Sequence, residues 1–418
     1  MHELSYAEPM DTTKKAMHLH QFTVTNYRSI REPVTLSMVA SPKHELDTDF
    51  ASSATDDRLL KSAIIYGPNA SGKSNVVRAL FLMRRTIIGS NRLFDDPSDG
   101  ADPIETFRLD YQSPKQDSSF EVTFEYDNYL FVYGFAANAT DREVTGEWLK
   151  FSTLKQPNLK QVFTRSRATV KINRNVPLSL HGISKSYTKQ VASQELFITS
   201  LSRIANKTMA HRVVEAWRNT HILNTVVHDP LQLIHEKPEL KQELLPLLAE
   251  ADFGITDIKS KIDESGDLII EMQHTVRVKG TIKTEWFSLA HQESEGTRKF
   301  LKFAILLLLG LDSGTLIVLD ELGSMLHPSL LHHVIQLFHN PSTNPHNAQL
   351  ILTVHDTSLM KNLFSRDQIY FTEKTPQFTT DLYSLSDIKN VRPNTPNLDE
   401  RYLRGDFGAT PDIMSNGD

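Results

Sequence analysis

Ser62-Ala63-Ile64-Ile65-Tyr66-Gly67-Pro68-Asn69-Ala70-Ser71-Gly72-Lys73-Ser74 is the stretch that decides the fold. Its first five residues are an apolar run suited to a fully buried strand. The last eight match G-x-x-x-x-G-K-[ST], and Val76, Val77, Leu80, Phe81 and Met83 then recur at helical spacing. Glycines in such a strand-to-helix turn let consecutive backbone N–H groups point inward around phosphate oxygens, and the helix N-terminus adds partial positive charge. Gly67, Pro68, Asn69, Ala70, Ser71, Gly72, Lys73, Ser74 and Asn75 are therefore expected to line a site for ATP. Lys73 would reach the β- and γ-phosphates, and the Ser74 hydroxyl would ligate Mg²⁺.

The natural second half is Leu316-Ile317-Val318-Leu319-Asp320-Glu321. An apolar strand delivers two carboxylates to its C-terminal end, where ligands bind in open α/β sheets. Asp320 is expected to hold Mg²⁺ through its water shell, and Glu321 to polarise the attacking water as general base. More than half the chain separates Lys73 from Asp320 in sequence, so a sizeable region is inserted between them.

Outward from these motifs, residues 20–40 read as a hairpin, with Phe22, Val24, Val34, Leu36 and Met38 alternating at period two and a turn at 26–33. Residues 41–58 and 91–118 read as loop, and 120–135 as a second hairpin turning at Asp127-Asn128. Short strands are expected to about residue 188, helices over 190–250 and strands again over 255–287. Apolar runs at 315–319, 350–354 and 368–372, with a helix over 328–338, give the alternation of a parallel sheet. The expected division is a flexible leader at 1–19, a first part of the ATPase lobe at 20–90, an inserted β-rich and helical region at 91–285, and the remainder of the lobe at 286–418.

At 418 residues, with 39% hydrophobic and 23% charged, the chain is ordinary for a globular protein of two or three domains. The net charge of −6 announces no global field for nucleic acid. Arg165, Arg167, Lys171 and Arg174 form a local basic stripe, read as a solvated strand face or a nucleic-acid contact. The absence of cysteine excludes disulfides and thiolate metal sites and fits a cytoplasmic protein. The apolar stretch 300–319 is interrupted by Lys302, Gly310, Asp312 and Gly314. It reads as a buried helix (298–311) and a buried strand rather than a membrane span. No H-E-x-x-H spacing suggests a further metal site.

The segments around the second carboxylate strand resemble ABC-type ATPase heads. Phe287-Ser288-Leu289-Ala290-His291-Gln292-Glu293-Ser294-Glu295-Gly296-Thr297 occupies the place of the ABC signature, with a single Gly296 preceded by Glu295 where two adjacent glycines are usual. Leu326-His327-Pro328 looks like the D-loop region of SMC- and RecF-like ATPases, and Leu350-Ile351-Leu352-Thr353-Val354-His355-Asp356 like the switch-histidine strand. Val24-Thr25-Asn26-Tyr27-Arg28-Ser29-Ile30 resembles the opening strand and turn of that superfamily. Together with Arg366-Asp367-Gln368-Ile369, Leu382-Tyr383-Ser384-Leu385, Tyr402-Leu403-Arg404-Gly405 and Phe407-Gly408-Ala409, these motifs are similar to those of AAA-type ATPases of bacterial abortive-infection loci.

The resemblance implies an α/β P-loop NTPase with an ABC-type head: a mixed sheet, an N-terminal antiparallel β part and an inserted β/helical region. It implies that His355 senses the γ-phosphate, and that Ser294 and Gly296 of a second copy complete the site in a homodimer or higher oligomer. It also implies a co-encoded effector, such as a Toprim-type nuclease or a toxin, controlled in phage defence. The alternative is a RecF-like repair ATPase that clamps DNA.

Overall fold

The computed structural model describes residues 16–44, 46–89, 93–94, 103–153, 156–184, 187–189, 191–204, 207–218, 220–222, 230–251, 254–279, 281–320, 327–360, 363–392 and 395–410. In chain order, β1 (Met17–Thr25) and β2 (Val34–Ser37) form the expected hairpin, and β3 (Asp49–Ala51) pairs with β4 (Arg58–Leu60). β5 (Ser62–Tyr66) feeds α1 (Lys73–Ile88). Then follow β6 (Ser118–Tyr126), β7 (Tyr129–Asn138), β8 (Glu143–Thr153), β9 (Gln156–Ser166) and β10 (Thr169–Ile172). Helices α2 (Leu178–His181), α3 (Phe197–Ile204) and α4 (Met209–Arg218) lead to β11 (His221–Ile222), α5 (Gln232–Glu236) and α6 (Leu240–Glu250). The antiparallel strands β12 (Ile255–Ile262), β13 (Leu268–Val278) and β14 (Thr281–Ser288) come next. The chain finishes with α7 (Glu295–Ser313), β15 (Leu316–Leu319), α8 (Pro328–His339), β16 (Gln349–Thr353), β17 (Ile369–Lys374), β18 (Thr380–Ser384) and α9 (Leu398–Leu403).

Two large sheets organise these elements. The first is antiparallel, in the order β10-β9-β8-β7-β6-β1-β2; the second runs β11-β15-β16-β5-β17-β18, parallel except for the edge strand β18. Period-two alternation divides the second sheet between two cores. Ala63, Ile65, Leu316 and Val318 face the core shared with α1 and the antiparallel sheet, whereas Ile64, Tyr66, Ile317 and Leu319 face α6, α7 and α8. Burial on both faces explains why these strands read as continuous apolar runs in the sequence.

Three sequence readings change. Residues 41–58, read as loop, contain β3 and the first residue of its partner β4, strands three residues long and too short to show a period. Of the short strands expected up to residue 188, only β10 is short; β8 and β9 have 11 residues each, and all three join β1 and β2 in one sheet. β1 begins at Met17, so residues 17–19, counted with the leader, are strand; residues 1–15 lie outside the described residues. The apolar stretch 300–319 is helix α7 followed by strand β15, and among the described residues no helix is long and apolar enough to cross a membrane.

Candidate functional site

The site gathers at the C-terminal edge of the parallel sheet, where β5 gives way to residues 67–72 and then α1. Two glycines make that turn possible. Gly67 has φ +153° and Gly72 φ +112°, values an L side chain rarely adopts. A Cβ on Gly67 would lie 2.4 Å from the carbonyl oxygen of Thr372, and one on Gly72 would lie 2.0 Å from Thr380 Oγ1. Packing and backbone conformation thus both demand glycine here. Gly72 caps α1 without a side-chain hydrogen bond, and the first turn holds no acidic residue. A helix N-terminus left in this state favours an anion.

Lys73 is buried and its ammonium folds back on the loop, donating to the carbonyl oxygens of Gly67 (2.7 Å) and Pro68 (3.0 Å). Next to it, Ser74 Oγ donates to Asp320 Oδ1 at 3.1 Å, and Thr353 Oγ1 donates to the same oxygen at 2.7 Å. Strand order explains the convergence: β16 lies between β15, which Asp320 directly follows, and β5, which leads to the loop. Leu319 pairs with Leu352, and Thr353 with Ile65, so all three strand ends are level. A hydroxyl and a half-buried carboxylate, both oxygen donors, suit a hard divalent cation such as Mg²⁺.

The outer side of the loop is braced by threonines to which the sequence reading gave no role. Thr372 Oγ1 lies 2.6 Å from Ser71 Oγ, and Thr380 Oγ1 donates to the Ser71 carbonyl at 2.8 Å. Ser29 joins the brace: its hydroxyl lies 2.7 Å from Thr380 Oγ1 and accepts from Asn75 Nδ2 at 2.6 Å. The only sequence signal was a threonine at or beside the end of an apolar run, as at positions 353 and 372.

The remaining expected residues fall as follows. Glu321 lies outside the described residues, as does Leu326 of the D-loop-like segment; His327 and Pro328 start α8, with His327 as its N-cap. His355 is exposed two residues beyond β16, just after Val354, whose N–H donates to the Ile65 carbonyl. Ser294 is the N-cap of α7, accepting from Thr297 N–H at 3.0 Å, and Gly296 is exposed in its first turn. Glu295, the residue that breaks the glycine pair, points into an ion pair with Lys299 at 2.7 Å.

Several of the quoted motifs turn out to brace the fold. Asp367 receives Ser41 N–H (2.7 Å) and His44 Nδ1 (2.9 Å), while Gln368 accepts from Thr48 and donates to the Ser62 carbonyl. Tyr402 stacks on Phe371 with ring centroids 5.3 Å apart, which ties the C-terminal motif to β17 beside the loop strand. The basic stripe needs correction. Arg165 does not belong to a solvated face: its side chain is fully buried, 3.7 Å from Glu147, and it donates to the carbonyls of Arg167 and Ala192. Glu147 in turn accepts from the N–H groups of Phe197 and Ile198 at the start of α3. Burial raises its pKa against the pull of those donors and of Arg165.

No curated protein matches the chain. Residues 62–361, from the loop strand past the switch-like histidine, match the protein family described as "AAA domain, putative AbiEii toxin, Type IV TA system". With most of its length covered and Ser74, Asp320 and Thr353 brought together inside that span, the chain belongs to this family of AAA-type P-loop ATPases.

Proposed function

We propose that the protein is an ATP-binding and ATP-hydrolysing switch with an ABC-type head. The observation that carries this reading is the Ser74–Asp320–Thr353 junction at the mouth of the loop, with Lys73 beside it. Residues 67–75 hold the polyphosphate, Lys73 leaving its two loop carbonyls to meet the β- and γ-phosphates. Ser74 and Asp320 hold Mg²⁺, which neutralises charge on the phosphates when bound. Thr353 fixes the Asp320 carboxylate. Glu321, next along the chain, takes the role of general base toward the attacking water, and His355 that of γ-phosphate sensor.

Two copies meet head to tail, so that Ser294 and Gly296 of one complete the site of the other. The start of α7 suits this role, since Ser294, Glu295 and Gly296 are exposed and Glu295 is neutralised by Lys299. ATP binding closes the pair, hydrolysis reopens it, and the state passes to a separate effector, a nuclease or toxin, in anti-phage defence. A RecF-like, DNA-clamping repair ATPase is the alternative; of the basic stripe that could serve it as a nucleic-acid contact, Arg165 is committed to Glu147.

The test is the mass in solution of the wild type and Glu321→Gln, each with and without ATP-Mg²⁺. An ATP-dependent dimer, prolonged by the substitution, is expected. A constant monomer refutes the shared site, and ATPase activity stimulated by DNA ends with a steep salt dependence selects the clamp instead.

A further inference from the structure

The β17–β18 hairpin rises on the side of the loop away from Asp320. In the order β15-β16-β5-β17-β18, the strand carrying Asp320 lies to one side of β5 and the hairpin to the other. A polyphosphate held across the loop with its reacting end toward Asp320 therefore has its nucleoside end toward the hairpin. β17 runs parallel to β5, with Phe371 paired to Tyr66, so the turn after it stands beyond the C-terminal edge of the sheet. Side chains two apart on a strand share a face. Thr372 touches Ser71, so Lys374 lies on the loop-facing side. Its cross-strand partner is Thr380, which donates to the Ser71 carbonyl.

At the tip of this turn stands Phe378. The residue is 58% exposed, and its backbone lies in the left-handed region at φ +60°. The turn is closed by Thr375 N–H to the Thr379 carbonyl and by Phe378 N–H to the Thr375 carbonyl. Glycine or asparagine holds such a position at less cost, and a bulky aromatic there is strained without burying its ring. Strain of this kind points to a use other than folding. The Lys374 ammonium lies 5.5 Å from the centroid of the same ring.

We propose that Lys374 and Phe378 form the nucleoside side of the ATP site, Phe378 packing on the base and Lys374 meeting the α-phosphate side of the polyphosphate. This rests on the assignment of residues 67–75 as the phosphate-binding loop. The brace from Thr380 through Ser29 to Asn75 keeps the hairpin in register with the first turn of α1. An aromatic platform reads any base by its π-face, so it adds affinity without strict selection among purines.

The experiment compares ATP with inorganic tripolyphosphate, which lacks base and ribose, by calorimetry on the full chain. Phe378→Gly should melt no lower than the wild type, since glycine relieves the backbone. It should weaken ATP binding by roughly tenfold while leaving tripolyphosphate unchanged. Phe378→Trp should keep ATP affinity, and Lys374→Gln should weaken both ligands. If Phe378→Gly binds ATP as the wild type does while Lys73→Ala loses it, the hairpin assignment is overturned and the loop assignment stands. If Lys73→Ala retains ATP, the loop assignment falls and the hairpin assignment with it.

Discussion

Thr353 Oγ1 donates to Asp320 Oδ1 at 2.7 Å from a strand that stands between the carboxylate strand and the loop strand. The same oxygen receives Ser74 Oγ at 3.1 Å. One carboxylate oxygen thus collects one donor from the end of β16 and one from the first turn of α1, and the two fix its orientation.

Thr353→Val keeps the shape and removes that donor. Groups that orient a metal ligand typically change affinity by about 10–100-fold when lost. The expected outcome is a Mg²⁺ requirement for ATP hydrolysis shifted upward by roughly that factor, with ATP binding in the absence of Mg²⁺ unchanged. A Mg²⁺ titration at saturating ATP measures it. An unchanged midpoint would show that Asp320 needs no help from β16.

Arg165 and Glu147 make the second prediction. Removing one member of a buried ion pair leaves an uncompensated charge and costs about 3–5 kcal/mol. Arg165→Ala should therefore lower the melting temperature steeply, whereas Lys171→Ala, on an exposed residue, should not. If the arginine served nucleic acid instead, Arg165→Ala would leave melting unchanged and weaken DNA binding.

How much was legible beforehand follows from the reach of each signal. The segment from Ser62 to Ser74 announced strand, loop and helix because burial and conformation constrain its key positions: apolar side chains on both faces of the strand, and glycine at 67 and 72, where φ is positive and a Cβ would clash. The helices α7 and α8 and the strands β15, β16 and β17 were readable for the same local reason. What escaped depended on pairings distant in sequence. Nothing in residues 17–37 says that β1 pairs with β6, about a hundred residues away. Arg165 looked like a surface cation because its partner Glu147 is on the neighbouring strand β8. Thr380 carried no signal in the sequence, yet it packs against Gly72.

Acid sensitivity follows from His339. Its Nε2 lies 2.7 Å from Ser62 Oγ at the start of the loop strand, and its backbone carbonyl accepts from Lys61. Burial, followed by the charges of Lys61, His44 and His332, lowers its pKa from 6.5 to about 3. The unfolded chain then binds a proton between these values that the folded chain does not, so stability falls as pH drops below 6.5. At about 1.4 kcal/mol per pH unit, the loss by pH 5 is roughly 2 kcal/mol. Glu125 does not obscure this window. Burial raises its pKa, but His18, His20 and Ser52 more than offset that and leave it well below 4.5, so its contribution is lost only at lower pH. Urea melts of the wild type and His339→Gln at pH 7.5 and 5.0 separate this share from those of His181, whose pKa burial also lowers, and Glu147, whose pKa burial raises: the loss should be roughly 2 kcal/mol smaller in the variant.

The shared site proposed above predicts complementation between inactive subunits. Lys73→Ala removes the lysine proposed to meet the phosphates but leaves α7 intact. Gly296→Asp leaves the loop intact and puts a carboxylate at the start of α7, where the space around a new Cβ is open apart from Ser294 Oγ at 3.5 Å. Each variant alone should be inactive. In a head-to-tail pair of unlike subunits, one site combines both lesions and the other combines the intact loop of one subunit with the intact α7 of its partner. An equal mixture forms such pairs half the time, each with one good site of two, so about a quarter of wild-type ATPase activity should return. Steady-state phosphate release across a mixing series tests this, with a maximum at equal amounts. A flat series at zero would mean that each chain uses its own α7 and would refute the shared site, whereas full activity of Gly296→Asp alone would remove Ser294 and Gly296 from the site.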